Sequence, residues 1–286
     1  MRATSRLKTL LSAGRTIVAP GAFDGLSARL VEQAGFPAVY ASGGAIARSA
    51  GIPDIGLMSP DEIAARLGMM VDVVGIPVIA DADTGYGNAL NAQRATRAFE
   101  RAGIAAFHIE DQTFPKKCGH YEDKSLISTD EMVQKIYAVR DALRDPDFVL
   151  IARTDAIAVE GFDAAIDRAC AYIEAGADMA FVEAPTTEDE IAEVARRVPG
   201  WKLINMFQGG KTPLVPVPRL KELGYHVIII PSDTQRAAIK AMQRVLAAIA
   251  RDGSAAAMAA DMATFKEREA VVDTSGFLDR GKRYGV

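Results

Sequence analysis

Two carboxylates stand two residues apart in Asp81-Ala82-Asp83-Thr84-Gly85-Tyr86-Gly87, ahead of glycines that permit a tight loop. At the end of a β-strand, Asp81 and Asp83 share a face and repel each other unless something positive sits between them. A hard cation such as Mg²⁺, held partly through water, resolves that conflict, and Mn²⁺ can take the same place. The competing reading is that both aspartates cap a turn or the next helix. Further along, Lys116-Lys117-Cys118-Gly119-His120 sets a cysteine among cations. Cationic neighbours lower a thiol's pKa and make it a usable nucleophile or acid. An ordinary solvated basic loop with an incidental cysteine would have the same composition. Between these stretches lies His108-Ile109-Glu110-Asp111-Gln112. There Glu110 can join a metal shell through water, and His108 is either a hydrogen-bonded core residue or a catalytic one. Arg153 offers a bidentate clamp for a carboxylate.

Such residues act together only if the chain gathers them at one place. Short β-branched runs at 16–19, 38–41, 78–80, 105–110, 149–153, 179–183, 202–205 and 227–230 predict eight strands. Helical patterns fill the gaps at 25–34, 59–74, 89–102, 129–143, 161–175 and 188–197. This alternation predicts parallel strands joined by crossover helices. Three helices end alike, at Gly35, Gly103 and Gly176, and each is followed within a few residues by a strand. The repeated join favours an α/β fold of the closed (β/α)8 TIM-barrel type, at residues 1–260, with a helical C-terminal extension at 261–286. An open doubly wound sheet is disfavoured because no Gly-rich dinucleotide fingerprint follows the first strand. A length of 286 residues suits one such barrel.

In this architecture the active site forms at the C-terminal ends of the strands. Polar residues fall at seven of the eight predicted ends. Beyond those named, the second strand brings Tyr40 and Ser42 on one face, then Gly43 and Gly44. The sixth brings Glu183 and the seventh Asn205, and Arg236 follows the eighth. The polar stretch 113–128 lies between a strand and a helix, the setting of a mobile loop that excludes water. Cys170 sits in a helical pattern and reads as packing. The inventory suits Mg²⁺ and a small di- or tricarboxylate.

Composition narrows the alternatives. A net charge of −4 gives no reason to expect a nucleic-acid partner. No apolar run is long enough to span a membrane, and residues 1–14 read as a first helix, not a signal peptide. Two cysteines make a disulfide framework unlikely and point to the cytoplasm.

Taken together, these motifs resemble the isocitrate lyase / phosphoenolpyruvate mutase superfamily along almost the whole chain. The carriers are Lys116-Lys117-Cys118-Gly119-His120, Ser42-Gly43-Gly44, Asp81 to Gly87, Ile109-Glu110-Asp111-Gln112 and Ala152-Arg153-Thr154-Asp155-Ala156. The likeness is greatest to the 2-methylisocitrate lyase branch, while Asn205 to Pro213 looks more like the 2,3-dimethylmalate lyase and petal-death-protein branches. The resemblance implies that Asp81 and Asp83 hold Mg²⁺ with Glu110 in the shell. It also implies that Ser42, Gly43, Gly44, Gly119, Arg153, Glu183, Asn205 and Arg236 contact substrate. Cys118, flanked by Lys116 and His120, matches the general acid of the lyases, and mutases lack that cysteine. Oxaloacetate hydrolases of the family carry serine where Pro231 falls. The reaction implied is cleavage of a carbon–carbon bond in a 2-hydroxy carboxylate, giving an α-keto acid such as pyruvate. Arg153 would neutralise the leaving fragment, and Tyr40 would orient or deprotonate the hydroxyl. The family also implies a homo-oligomer, a tetramer with swapped C-terminal helices.

Overall fold

The computed structural model describes residues 1–117 and 123–285. Eight parallel strands pair in chain order and close on themselves, β1 against β8. They are β1 (Ile17–Ala22), β2 (Val39–Ala41), β3 (Val78–Asp81), β4 (Ala106–Glu110), β5 (Val149–Thr154), β6 (Met179–Val182), β7 (Trp201–Asn205) and β8 (Val227–Ile230). All eight lie where the sequence places strands. The twofold side-chain period then sorts each strand into an inner and an outer set. Inside, Ile17, Ala19, Tyr40, Ile79, Ala106, Val149, Ile151, Met179, Phe181, Leu203, Val227 and Ile229 form one packed cluster. Outside, Val39, Ala41, Val78, Ala80, Phe107, Ile109, Leu150 and Ala152 pack under the helices. Ile109 therefore faces outward, as its place between His108 and Glu110 predicts.

The helices are α1 (Ala3–Ser12), α2 (Gly25–Gln33), α3 (Gly43–Ser49), α4 (Pro60–Val71), α5 (Ala89–Arg101), α6 (Thr129–Ala142), α7 (Phe162–Glu174), α8 (Glu188–Arg197), α9 (Val217–Glu222), α10 (Asp233–Asp252), α11 (Phe265–Val271) and α12 (Thr274–Tyr284). Their starts are set by side-chain caps: Asp24 for α2, Ser59 for α4, Asn88 for α5, Ser128 for α6 and Thr187 for α8. Gly35, Gly103 and Gly176 follow α2, α5 and α7 with φ of 84°, 87° and 109°, the left-handed stop that their sequence pattern predicts. Leu7 and Leu11 of α1 join the inner cluster. Thr4 and Ser5 of that helix bond Asp145 and Asp147 ahead of β5, at the end of the barrel opposite the strand tips.

The barrel closes tightly at Gly21. A Cβ placed there would lie 2.1 Å from the carbonyl oxygen of Pro231, so β1 and the chain after β8 touch backbone to backbone. Gly21→Ala is expected to destabilise the fold by about 3 kcal/mol, because neither strand can retreat without opening the barrel. Urea denaturation measures this, and an unchanged midpoint would contradict it.

Met1–Asp233 forms one compact unit and Thr234–Val286 a second. The second unit contains α10 to α12 and exposes Leu246, Phe265, Phe277 and Leu278. Among the described residues, no helix is long and apolar enough to cross a membrane.

Candidate active site

Above the apolar filling, the inward positions become polar at the C-terminal ends of the strands. Asp81 ends β3, and the chain then turns sharply. Asp83 takes a left-handed φ of 46°, and its N–H donates to Asp81 Oδ1 at 3.0 Å. Non-glycine residues in that region are strained, and such strain collects at functional sites. The aspartates therefore shape their own turn, but neither caps α5, whose cap is Asn88. Both remain buried. Gly43 lies so close to Asp81 that a Cβ there would stand 2.7 Å from Oδ2. Gly44 is similarly pressed on Asp54 Oδ2, at 2.5 Å. The first turn of α3 thus exists to let two acids approach backbone. Ser42 caps that turn, its hydroxyl accepting from the Ala45 N–H at 3.3 Å.

Lys116 ties this acidic side together. Its ammonium donates to Asp54 Oδ1 at 2.5 Å and stands 3.0 Å from Asp83 Oδ1, with only 5% of the side chain exposed. The sequence reading places Lys116 beside the Cys118 thiol as an activating cation. In the structure its ammonium is paired with Asp54 and Asp83, as a buried ammonium must be. Burial pulls its pKa down, but Asp83, Asp81 and Asp54 outweigh burial and hold it well above the ordinary lysine value. Burial pushes the Asp83 carboxyl up; Lys116 opposes, Asp81 and Asp54 add to the rise, and it settles at about 6.

Tyr40 and His108 form the floor. The Tyr40 hydroxyl lies 2.8 Å from His108 Nε2, and the rings stack at 5.9 Å. Burial, more than its neighbours, lowers the His108 pKa to about 4, so the imidazole is neutral. Phe181 packs edge-on against it, and His108 is a buried core residue that meets the site through Tyr40 and, at 3.6 Å, Asp81. Burial, then the charge of Asp81, raises Tyr40 well above the usual phenol value. Its hydroxyl, on the floor of the site, is placed to meet a substrate hydroxyl.

The opposite side is built on Arg153. Its Nε and NH2 groups grip Asp155 at 2.8 and 3.0 Å. Glu110 stands 3.3 Å away, Glu183 3.7 Å away, and the guanidinium lies over Phe181 at 5.1 Å. Lys124 also donates to Asp155, at 2.7 Å. Burial raises the Glu110 carboxyl well above its ordinary value despite Arg153. Glu183 stands just past the end of β6, before Ala184 with its left-handed φ of 62°. Asn205 Nδ2 reaches Glu183 at 3.5 Å. Behind Asp155, Asp111 accepts from Thr154 Oγ1, the Asp155 N–H, Tyr172 and Arg168.

Cys118, Gly119 and His120 lie outside the described residues. The segments on either side of them are well tied. Gln112 bonds the Lys117 backbone through both ends of its amide, at 2.8 and 3.0 Å. Lys117 Nζ donates to the Asp123 carbonyl, and the Thr113 N–H to the Ser125 carbonyl, each at 2.8 Å. Lys116, two residues before Cys118 in the chain, contacts Asp83. Arg236 lies within α10 in the second unit. Three residues of the site were missed by sequence reasoning. Asp54 is a lone acid in an irregular stretch, with no periodic signal. Lys124 is one of many polar residues in 113–128, and Asp155 was visible within a motif but without a role.

Six buried carboxylates (Asp54, Asp81, Asp83, Glu110, Asp155 and Glu183) meet three buried cations (Lys116, Lys124 and Arg153). Such a mouth repels an anionic ligand unless protons or a further cation intervene. Glu110 Oε1 and Asn205 Oδ1 are buried and lack a hydrogen-bond partner among the described residues. Among those residues, no three His, Cys, Asp or Glu side chains converge as a ready-made metal cage. Mg²⁺ does not require one, since it keeps several waters and uses one or two carboxylates. Asp81 and Asp83, with the unpartnered oxygen of Glu110 nearby, fit such an ion.

Comparison with known proteins bears on this chemistry. The family model described as phosphoenolpyruvate phosphomutase matches residues 7–250. The chain is 43% identical over 268 residues to the 2,3-dimethylmalate lyase of Eubacterium barkeri, covering 93% of each. It is 47% identical over 248 residues to the 2-methylisocitrate lyase of Aeropyrum pernix, covering 87% of this chain and 80% of the relative. A phosphonopyruvate hydrolase solved with oxalate and Mg²⁺ superposes with a TM-score of 0.91 at 32% identity, covering all of both chains.

Proposed function

The chain belongs to the phosphoenolpyruvate mutase/isocitrate lyase superfamily, and on that premise we propose that it is a Mg²⁺-dependent carbon–carbon lyase. Its substrate is a 2-hydroxy di- or tricarboxylate of the 2-methylisocitrate or 2,3-dimethylmalate type, and one product is an α-keto acid such as pyruvate. The observation that carries this reading is the excess of buried carboxylates over cations at the strand ends. That excess suits a divalent ion and, through it, an anionic substrate.

When bound through Asp81 and Asp83, with Glu110 in the outer shell, Mg²⁺ supplies Lewis-acid stabilisation for negative charge on a substrate oxygen. Arg153 binds the carboxylate of the fragment on which charge builds up. Tyr40 orients the 2-hydroxyl and takes its proton, directly or through water, as that oxygen becomes the keto oxygen of the product. Ser42, Gly43, Gly44, Gly119, Glu183, Asn205 and Arg236 bound the substrate, in keeping with the family's motifs. As the bond breaks, its electron pair passes to the carbon beside the leaving carboxylate, and Cys118 protonates that carbon. Lys116 and His120 flank the cysteine in the chain and belong to the same catalytic group. A cytoplasmic homotetramer is part of the same proposal.

A second reading, a phosphonate mutase or an oxaloacetate hydrolase, is favoured by the phosphomutase description of the family model and by likeness to a solved oxaloacetate acetylhydrolase, at 31% identity and a TM-score of 0.93. A product assay with Mg²⁺ separates them. Pyruvate release from 2-methylisocitrate or 2,3-dimethylmalate is expected. Turnover confined to oxaloacetate or phosphonopyruvate would overturn the lyase reading.

A further inference from the structure

Asp155 is shared between two cations. Its Oδ2 accepts from Arg153 Nε, while its Oδ1 accepts from both Arg153 NH2 and Lys124 Nζ. Neither Lys124 nor Asp155 is open to solvent, their side chains being 2% and 0% exposed. The acid cannot shift to suit its partners, because its N–H is bound to Asp111 Oδ1, and Thr154 beside it is bound to Oδ2. Lys124 is placed from the other side. Antiparallel pairing of Gln112 with Leu126, and of Thr113 with Ser125, fixes the backbone just beyond it.

This arrangement matters for Arg153. A guanidinium gripped by one full carboxylate, with Glu110 and Glu183 also close, attracts a further anion weakly. A second cation on Asp155 takes up part of that charge. We infer that Lys124 is a positioning residue, which shares Asp155 with Arg153 and so leaves the guanidinium charged toward an incoming carboxylate. The inference rests on the reading of Arg153 as the substrate's carboxylate clamp.

The test uses oxalate as probe, titrated into the full chain in Mg²⁺ by calorimetry. Lys124→Gln is expected to weaken oxalate binding by about 10- to 30-fold, and Lys124→Arg to restore it to within about threefold. In an Asp155→Asn background, Lys124→Gln should cause a clearly smaller further loss than in the wild type, the difference being what passes through that acid. A merely structural role would lower the melting temperature and leave the same penalty in both backgrounds. Wild-type binding with an unaffected Lys124→Gln variant would overturn the inference alone. Failure of the wild type to bind oxalate in Mg²⁺ would overturn the underlying reading of the site and this inference with it.

Discussion

Cys118→Ser is expected to bind Mg²⁺ and oxalate as the wild type does, yet to turn over about 10²- to 10⁴-fold more slowly. That range is what a positioned general acid typically contributes. Serine keeps the size of the side chain but is a far weaker acid than a thiol of pKa near 8.5. Of the two lysines that precede the thiol in sequence, Lys116 is paired with Asp54 and Asp83, and Lys117 Nζ donates to the Asp123 carbonyl. The variant should therefore separate binding from proton delivery. Steady-state pyruvate release, with oxalate affinity measured in parallel, checks this. Near-normal turnover would remove the cysteine from the mechanism.

Asp81→Ala is expected to abolish activity, with a loss of at least about 10³-fold that saturating Mg²⁺ does not rescue. Asp81 is the acid against which Gly43 is packed and to which the Asp83 N–H is bonded. Burial pushes its carboxyl up, but the positive charges of Lys116 and Arg153 and the Asp83 N–H help to outweigh burial and hold it below the usual aspartate value. Deleting one acid from a mouth with more carboxylates than cations relieves repulsion. The variant should accordingly fold about as stably as the wild type, in keeping with the usual trade between stability and activity. A thermal melt distinguishes loss of function from loss of fold. Metal-dependent activity that survives the substitution would move the ion elsewhere.

The barrel was legible because its signals are local and repeated. A glycine stop after a helix, then a β-branched run, recurs at Gly35, Gly103 and Gly176, and each adopts the expected left-handed conformation. The twofold period along each strand then sorted Tyr40, Asp81, His108, Glu110 and Arg153 to the inside without any knowledge of their partners. What did not show was how loops approach one another. Asp54 belongs to the site only because Gly44 and Lys116 close on it from two other segments. Lys124 belongs because the chain beyond it pairs with Gln112 and Thr113, a contact no periodicity announces. For Lys116 the sequence showed only adjacency to Cys118, and gave no sign of the pairing with Asp54 and Asp83. The short helix α3 was missed for a related reason. Gly43 and Gly44 are poor helix formers, tolerated where two carboxylates leave no room for a Cβ.

The divalent-ion site between Asp81 and Asp83 is tested most directly by titrating oxalate into the protein calorimetrically, with Mg²⁺ present and then with EDTA in its place. Binding in Mg²⁺ that disappears in EDTA is the expected result. Equal affinity in both would mean that the carboxylates accept an anion unaided, and no metal would be needed at this barrel mouth.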